Sequence, residues 1–354
     1  MNDSAAVGES GMTEKGAEAP NAMKTLFSVI LCTHNPRQEY LRRTLDALRR
    51  QTLRYDAWEF LLVDNASTQL LADVWDLSWH PRARHIREDE LGMTPALLRG
   101  FDEASGELFV IVADDNVLAA DYLEQVAAIH ASHPHLAVFG SGRLEPEFEI
   151  EPPAELARLL SMLALRTVKT SLWSNNPTDF RCMPWGAGMC VTRAVTSVFR
   201  ELLVRLDIRG IVGRRGQRLS CGDDDLFSWA AAASGRGFGI FPQLQLTHLI
   251  AARRLNRAYF LRLIHDHAYS NGILNYLLAG TKQKPLDTFR VGRTILHGVR
   301  NGYFSTRCEW AAARGEAAAL RYIRENNLRP IALHEGLGRS SPLVSWAGAE
   351  SRPA

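Results

Sequence analysis

A chain of 354 residues, 46% hydrophobic and 23% charged, is long enough to bury one large core or two, which excludes a short disordered module. Its five cysteines (Cys32, Cys182, Cys190, Cys221 and Cys308) lack CxxC spacing and nearby paired histidines; that argues against a disulfide framework and a structural zinc site and suits a reducing, cytoplasmic setting. The net charge of +2 is uneven: residues 250–354 carry 16 basic against 7 acidic side chains, a net of +9, which leaves −7 for residues 1–249.

Residues 1–22 are polar, acidic and small, so they read as a disordered leader with no secretory signal, and no stretch reaches the roughly 20 apolar residues of a membrane span. The first strand is FSVILC (27–32), closed by THNPRQ, in which Pro36 ends extended structure. EYLRRTLDALRRQT then sets Leu41, Leu45 and Leu48 on one helical face, and WEFLLV (58–63) is a second strand that breaks at DNAST. Strand, helix and strand within about 40 residues form a βαβ unit, which predicts parallel pairing. A helix starting at Thr94-Pro95, the strand ELFVIVA, a helix with Leu123, Val126 and Ala127 inward and the strand LAVFG (136–140) continue the alternation, so the class is α/β. After an acidic EPEFEIEPP and a helix predicted near 155–168 come GAGMCVT, CGDDDLFSWAAAASG and the strand GIFPQLQLTHLI. From residue 251 the periodicity is mainly helical, including Leu261 to His265, Leu286 to Val299 and Trp310 to Leu320, and predicts a helical appendage with a flexible end.

Ligands of a parallel α/β sheet bind beyond the carboxyl ends of its strands. Three such ends carry Thr33-His34-Asn35, Asp64-Asn65 and Asp114-Asp115-Asn116. Asp64 taken alone reads first as an N-cap or Asx-turn residue. Two adjacent carboxylates at a buried strand end raise each other's pKa unless a cation or several donors meet them. Hard oxygen ligands of that kind suit Mg²⁺ or Mn²⁺ with a nucleotide diphosphate. No GxGxxG follows the first strand and no GxxxxGK[ST] occurs anywhere, which argues against a dehydrogenase and a P-loop NTPase. Asp223, Asp224 and Asp225 open a predicted helix, more acids than capping needs, so one is a candidate general base. His248, at the end of a strand, is either an ordinary structural residue or an extra metal ligand. Trp185, in WGAG, can stack on a pyranose face or pack as a core tryptophan.

SVILCTHNP, LLVDNAST, GELFVIVADDNVLAADYLEQV, GAGMCVTRAV, CGDDDLFSWAAAASG and LTHLI, in that order over about residues 25–250, resemble the family 2 glycosyltransferases. The resemblance implies a GT-A (Rossmann-like) mostly parallel sheet flanked by helices over 23–250, with a C-terminal α-helical region over 251–354. It implies inverting transfer of a sugar from a nucleotide diphosphate sugar, a UDP-sugar being the expected donor, to an acceptor hydroxyl in polysaccharide, glycolipid or glycoconjugate synthesis. Thr33, Asn35, Asp64 and Asp114 would then contact the donor, Asp115 and His248 would hold Mn²⁺ or Mg²⁺, and Asp224 would be the catalytic base. Asn116, Asp223, Trp185 and Arg99 are further candidates.

The chain departs from the family pattern in two places. LGMTPALLRG puts Leu97 and Leu98 where a basic residue and an asparagine are expected, with Arg99 next, and the third position of the DxD-like motif is Asn116. The alternatives are a nucleotidyltransferase, whose Gly-rich basic signature THNPRQ does not supply, and a non-catalytic sugar-nucleotide-binding module of the same fold, in which the acids at 223–225 are dispensable. No nucleic-acid partner is expected. The basic C-terminal region suits an acidic or lipid-linked acceptor, a peripheral contact at the inner face of a membrane, a partner protein, or simply an Arg-rich solvated surface.

Overall fold

Two strands of eight residues or fewer are buried at every position: β1 (Phe27–Thr33) and β2 (Trp58–Asn65). Burial on both faces is what near-continuous apolar runs such as FSVILC and WEFLLV require. The structure is a computed structural model that describes residues 27–208, 210–280 and 303–330. The leader at 1–22 and the periodicity at 286–299 lie outside the described residues.

β1 pairs in parallel with β2 on one side and with β4 (Leu108–Ala113) on the other, and β2 pairs in parallel with β3 (Ala83–Glu88). The sheet then changes direction: β9 (Met189–Thr192) runs antiparallel to β4 and to β6 (Leu136–Phe148), while β6 pairs in parallel with β10 (Gly237–Ile250). The short β5 (Asn116–Leu118) closes the far edge against β10, antiparallel. β7 (Arg166–Thr167) and β8 (Leu172–Ser174) add to β6 and β10. Pro242 sits inside β10, where the register against β6 shifts between Phe241 and Gln245; a residue without an N–H is accommodated at such an irregularity.

Alternate residues of β1 feed two cores. Phe27, Val29 and Leu31 join α1 (Gln38–Arg49) and α3 (Tyr122–Ser132) on one face, through Leu41, Leu45 and Leu48 and through Tyr122, Leu123 and Val126. Ile30 and Cys32 face α2 (Met93–Glu103), α4 (Arg193–Arg205) and α5 (Asp223–Ala233), where Phe199 stacks on Phe227 with centroids 3.9 Å apart. The mostly parallel α/β expectation therefore holds, with helices on both faces.

Two local readings change. The segment predicted as a helix near 155–168 is a 3-10 helix over Ala154–Leu163 that ends at Ala164 in the left-handed region (φ 57°), followed at once by β7. A residue that precedes a proline is disfavoured from the α region, which keeps Glu151 and Pro152 out of the helix, and Pro153 itself is extended (ψ 134°) as its N-cap. The strand at 136–140 extends through the acidic stretch to Phe148, because its parallel partner β10 runs on to Ile250. Beyond residue 251, α6 (Arg257–Ala279) and α7 (Tyr303–Glu325) pack against each other; a Cβ on Gly315 would come within 2.2 Å of the His265 carbonyl oxygen. Ile273, Leu274, Leu277, Ala319 and Ile323 join the same core as α4 and α5. This pair of helices is thus part of the support for the sheet and for the loop ahead of α5.

Candidate active site

The carboxyl ends of β1 and β4, the tip of β10 and the N-terminus of α5 surround one cavity of about 860 Å³. Thr33, Asn35, Asp114, Asp115, Asn116, Trp185, Asp223, Asp224 and His248 all line it. Two of the sequence candidates stand elsewhere. Arg99 lies on the half-exposed face of α2 and pairs with Glu103 at 2.9 Å, one helical turn on. Asp64 is buried and its two oxygens accept from the Ser67 N–H (3.1 Å), the Leu71 N–H (3.1 Å) and Arg87 Nη1 (2.9 Å). Burial works against its charge, but those donors hold the carboxyl below its ordinary range.

The β1 end is stitched to the β2 end. Asn35, at φ 46°, donates its N–H to Ser67 Oγ and accepts from the N–H and the hydroxyl of Thr68 at 2.9 and 3.0 Å. Asparagine tolerates this left-handed conformation better than most residues. Thr33 Oγ1 reaches the β4 end instead, donating to Asp114 Oδ2.

The β4 end brings together groups far apart in sequence. Pairing of β5 with β10 sets His248 opposite Asn116, and the Leu249 N–H donates to the Asp115 carbonyl (2.9 Å). That register places His248 Nε2 3.2 Å from Asp115 Oδ2. Arg254, in the 3-10 turn Ala252–Arg254 after β10, extends Nη1 to within 3.2 Å of the same Oδ2 and 3.3 Å of the same Nε2. Asn116 is buried, with its amide donating to Asp115 Oδ1 (3.0 Å) and accepting from the Ala113 N–H (3.2 Å). Its side chain therefore orients Asp115. Burial pushes the Asp115 carboxyl up, yet His248 and Arg254 overcome it and hold the group well below the usual carboxylate range; Asp114 is raised, by burial and then by its charged neighbour Asp115.

The opposite wall is the first turn of α5. Gly222 precedes it at φ 101°, and a Cβ there would meet Leu274 Cδ1 of α6 at 2.1 Å. Helix α6 also holds the approach: Asp266 Oδ2 accepts the Leu219 N–H at 2.8 Å and Ser270 Oγ the Cys221 N–H at 3.2 Å. Asp224 Oδ1 accepts the Asp225 N–H (3.0 Å), while its Oδ2 faces the Gly186 N–H at 3.4 Å. All three acids are raised, each by burial first, and Asp223 and Asp225 also by the charge of Asp224. Trp185 is covered on one face by the Arg166 guanidinium, 3.5 Å above the ring, and Arg166 in turn donates to the Met183 carbonyl (2.7 Å).

Asp225 was offered only as one of three acids for a general base, and Arg166, not a sequence candidate, stands outside the lining; Arg254, Arg253, Arg214 and Arg218 line the cavity and were not among the sequence candidates either. Two signals pointed to them: the arginine pair five and six residues after His248, and the glycine- and arginine-rich GRRGQR at 213–218, a basic loop far from the first strand where such loops are usually sought. Among the described residues, no group of three or more His, Cys, Asp and Glu side chains is arranged to hold a metal ion, and no helix is long and apolar enough to cross a membrane.

The sequence profile described as Glycosyl transferase family 2 matches residues 28–183. No curated protein sequence matches the chain. Among solved structures, the chain is similar to the mannosyltransferase PcManGT from Pyrobaculum calidifontis in complex with GDP-Man and Mn2+, at 20% identity and a TM-score of 0.48 over 84% of this chain and 75% of that one. It is also similar to S. aureus TarS 1-349 in complex with UDP-GlcNAc, at 14% identity and a TM-score of 0.44 over 84% of this chain and 92% of that one. The profile match runs from β1 to the segment just before Trp185 and includes Asp114 and Asp115, so residues 28–183 match a family 2 glycosyltransferase domain.

Proposed function

We propose that the protein is an inverting transferase that moves a sugar from a nucleotide diphosphate sugar to an acceptor hydroxyl. The observation that carries this reading is the facing of two acidic clusters, Asp114-Asp115 and Asp223 to Asp225, across one cavity whose walls also present Arg214, Arg218 and Arg253. A polyanionic diphosphate suits the arginines, and a hydroxyl to be deprotonated suits the raised acids.

Asp115 and His248 fit a divalent ion. Their Oδ2 and Nε2 stand 3.2 Å apart and both turn toward one cation, at present the Arg254 guanidinium. Octahedral bonds of about 2.1 Å set neighbouring ligands about 3 Å apart, and a carboxylate with an imidazole suits Mn²⁺ or Mg²⁺ completed by water and phosphate oxygens. When bound, such an ion supplies charge neutralisation for the departing diphosphate.

The chain's own residues supply the rest. Asp114, braced by Thr33, faces the ribose side of the donor, and the arginines fix the diphosphate. Asp224 accepts the proton of the acceptor hydroxyl as its oxygen forms the bond to the anomeric carbon; the carbon–oxygen bond to the diphosphate breaks on the far side, and its electron pair leaves with the phosphate. No enzyme-bound sugar forms. Burial raises Asp224 toward working pH, which strengthens it as a base.

The test is release of nucleoside diphosphate from a panel of nucleotide sugars, UDP-sugars first, with Mn²⁺ present. Asp224→Asn is expected to keep donor binding and to lose about 10²–10⁴-fold in turnover. Turnover at the wild-type rate in that variant would remove Asp224 from the role, and absence of turnover in the wild type with every donor would remove the transferase reading.

A further inference from the structure

The ion pair at the β4 end contains a cation that the proposed reaction has not used. Arg254 is 7% exposed, and its Nη1 lies within 3.3 Å of both atoms offered for a divalent ion, Asp115 Oδ2 and His248 Nε2. Arginine has donors only, so Asp115 Oδ2 meets it as an acceptor, and His248 Nε2 does so in the tautomer that leaves this nitrogen bare, the same one that metal ligation needs. Among the described residues, buried Nδ1 of His248 and buried Nε of Arg254 find no hydrogen-bond partner. Asp115 Oδ1 is taken by Asn116, so Oδ2 is the oxygen turned to the cation. Two lone pairs converge on one positive group, and that group is a side chain of the protein.

We propose that Arg254 is a resident cation that holds the metal position while the donor site is empty, and gives it up only when a nucleoside diphosphate arrives to receive the guanidinium. This rests on the transferase reading for the identity of the diphosphate. The surroundings make an exchange feasible. The turn bearing Arg254 is anchored by its backbone, with the Ala252 N–H held by Glu149 Oε2 at 2.7 Å, so the side chain can move without the turn. Arg253 and Arg214 line the same cavity, so positive charge already borders the space a diphosphate would enter. A divalent ion approaching alone meets a fixed positive charge on its own ligands; one that arrives with a diphosphate meets an arginine that has a better, bidentate anionic partner. Ion and diphosphate thus strengthen each other's binding by the same factor, because both act on the two positions of one side chain.

The experiment is a Mn²⁺ titration of the protein by electron paramagnetic resonance, with and without UDP and with no sugar donor or acceptor. In the wild type, UDP is expected to tighten Mn²⁺ binding about tenfold or more. Arg254→Met, which keeps most of the stem, is expected to bind Mn²⁺ about tenfold more tightly without nucleotide and to lose most of the gain from UDP, whereas Arg254→Lys, which keeps the charge, stays weak. Mn²⁺ binding in Arg254→Met no tighter than in the wild type overturns the proposal. So does wild-type Mn²⁺ affinity that is the same with and without UDP, a result that needs no variant to fold. A protein that turns over no nucleotide sugar but gains Mn²⁺ affinity in Arg254→Met retains the resident cation and loses only the transferase reading.

Discussion

Asp114-Asp115 at the end of β4 and Asp223-Asp224-Asp225 at the start of α5 face the same cavity, yet their carboxyls are driven in different directions. Asp115 meets two partners on one oxygen, His248 and Arg254, and remains ionised despite burial. Among the described residues the α5 acids have no such contact; backbone N–H groups reach Asp224, the charges of Arg214 on Asp223 and of Arg166 on Asp225 act more weakly than burial does, and all three are raised. Residue type is constant across the cavity and the partner differs. A carboxylate paired with cations is prepared to hold a cation, and one desolvated without them is prepared to take a proton.

The sharpest way to break this contrast is to remove charge from the paired side. Asp115→Asn keeps the shape and leaves His248 and Arg254 without their carboxylate, so nucleotide-sugar turnover is expected to fall about 10³-fold, roughly 4 kcal/mol. Metal-dependent UDP binding should fall with it. A variant that keeps its metal-dependent UDP affinity would show that the β4 end is not where the ion and diphosphate meet.

The desolvated side makes a second, smaller prediction, in pH. The base must be ionised to act, and burial raises all three α5 acids, so the fall of kcat/KM with decreasing pH is expected to set in above the ~3.9 of an exposed aspartate. Asp225→Asn removes a neighbouring negative charge from the cluster, which makes ionisation of the others easier, and so moves that acid limb to lower pH. An acid limb near pH 4 in the wild type would mean that the acids are solvated in the working enzyme.

How much of this was legible from residues alone depended on the range of the interaction involved. β1, α1, β2 and β4 follow from apolar periodicity and turn residues, which are local signals. β3 (ARHIRE) gave no such signal, because Ile86 is its one buried residue and the edge position lets Arg84 and Arg87 reach Glu59 and Asp64. The carboxylates at both ends of the site could be seen as unusual, since adjacent like charges are costly anywhere. What meets them could not. His248 and Arg254 stand 133 and 139 residues from Asp115, and only the antiparallel register of β5 on β10 brings them to it. For the same reason Asp64, at a strand end like Asp114, could be read as a residue held by its own turn, as it is, but not as the partner of Arg87.

The smallest predicted effect concerns Arg166, which touches the contrast at its edge. It is the cation that acts on Asp225, lowering it against the burial that raises it, as Arg214 does for Asp223, and its guanidinium also lies on Trp185. Arg166→Gln removes the charge and keeps a polar group for the Met183 carbonyl. Loss of a positive charge disfavours an ionised carboxylate, so the acid limb of kcat/KM is expected to move up by about half a pH unit, in the sense opposite to Asp225→Asn. Turnover lost near neutral pH should return on the alkaline side. Loss at all pH values with an unmoved limb would assign Arg166 to holding Trp185 rather than to setting the charge of the acids, because a misplaced ring does not recover with pH. With Asp225→Asn and Arg166→Gln moving one limb in opposite directions, the α5 cluster would be shown to titrate as the base of the reaction.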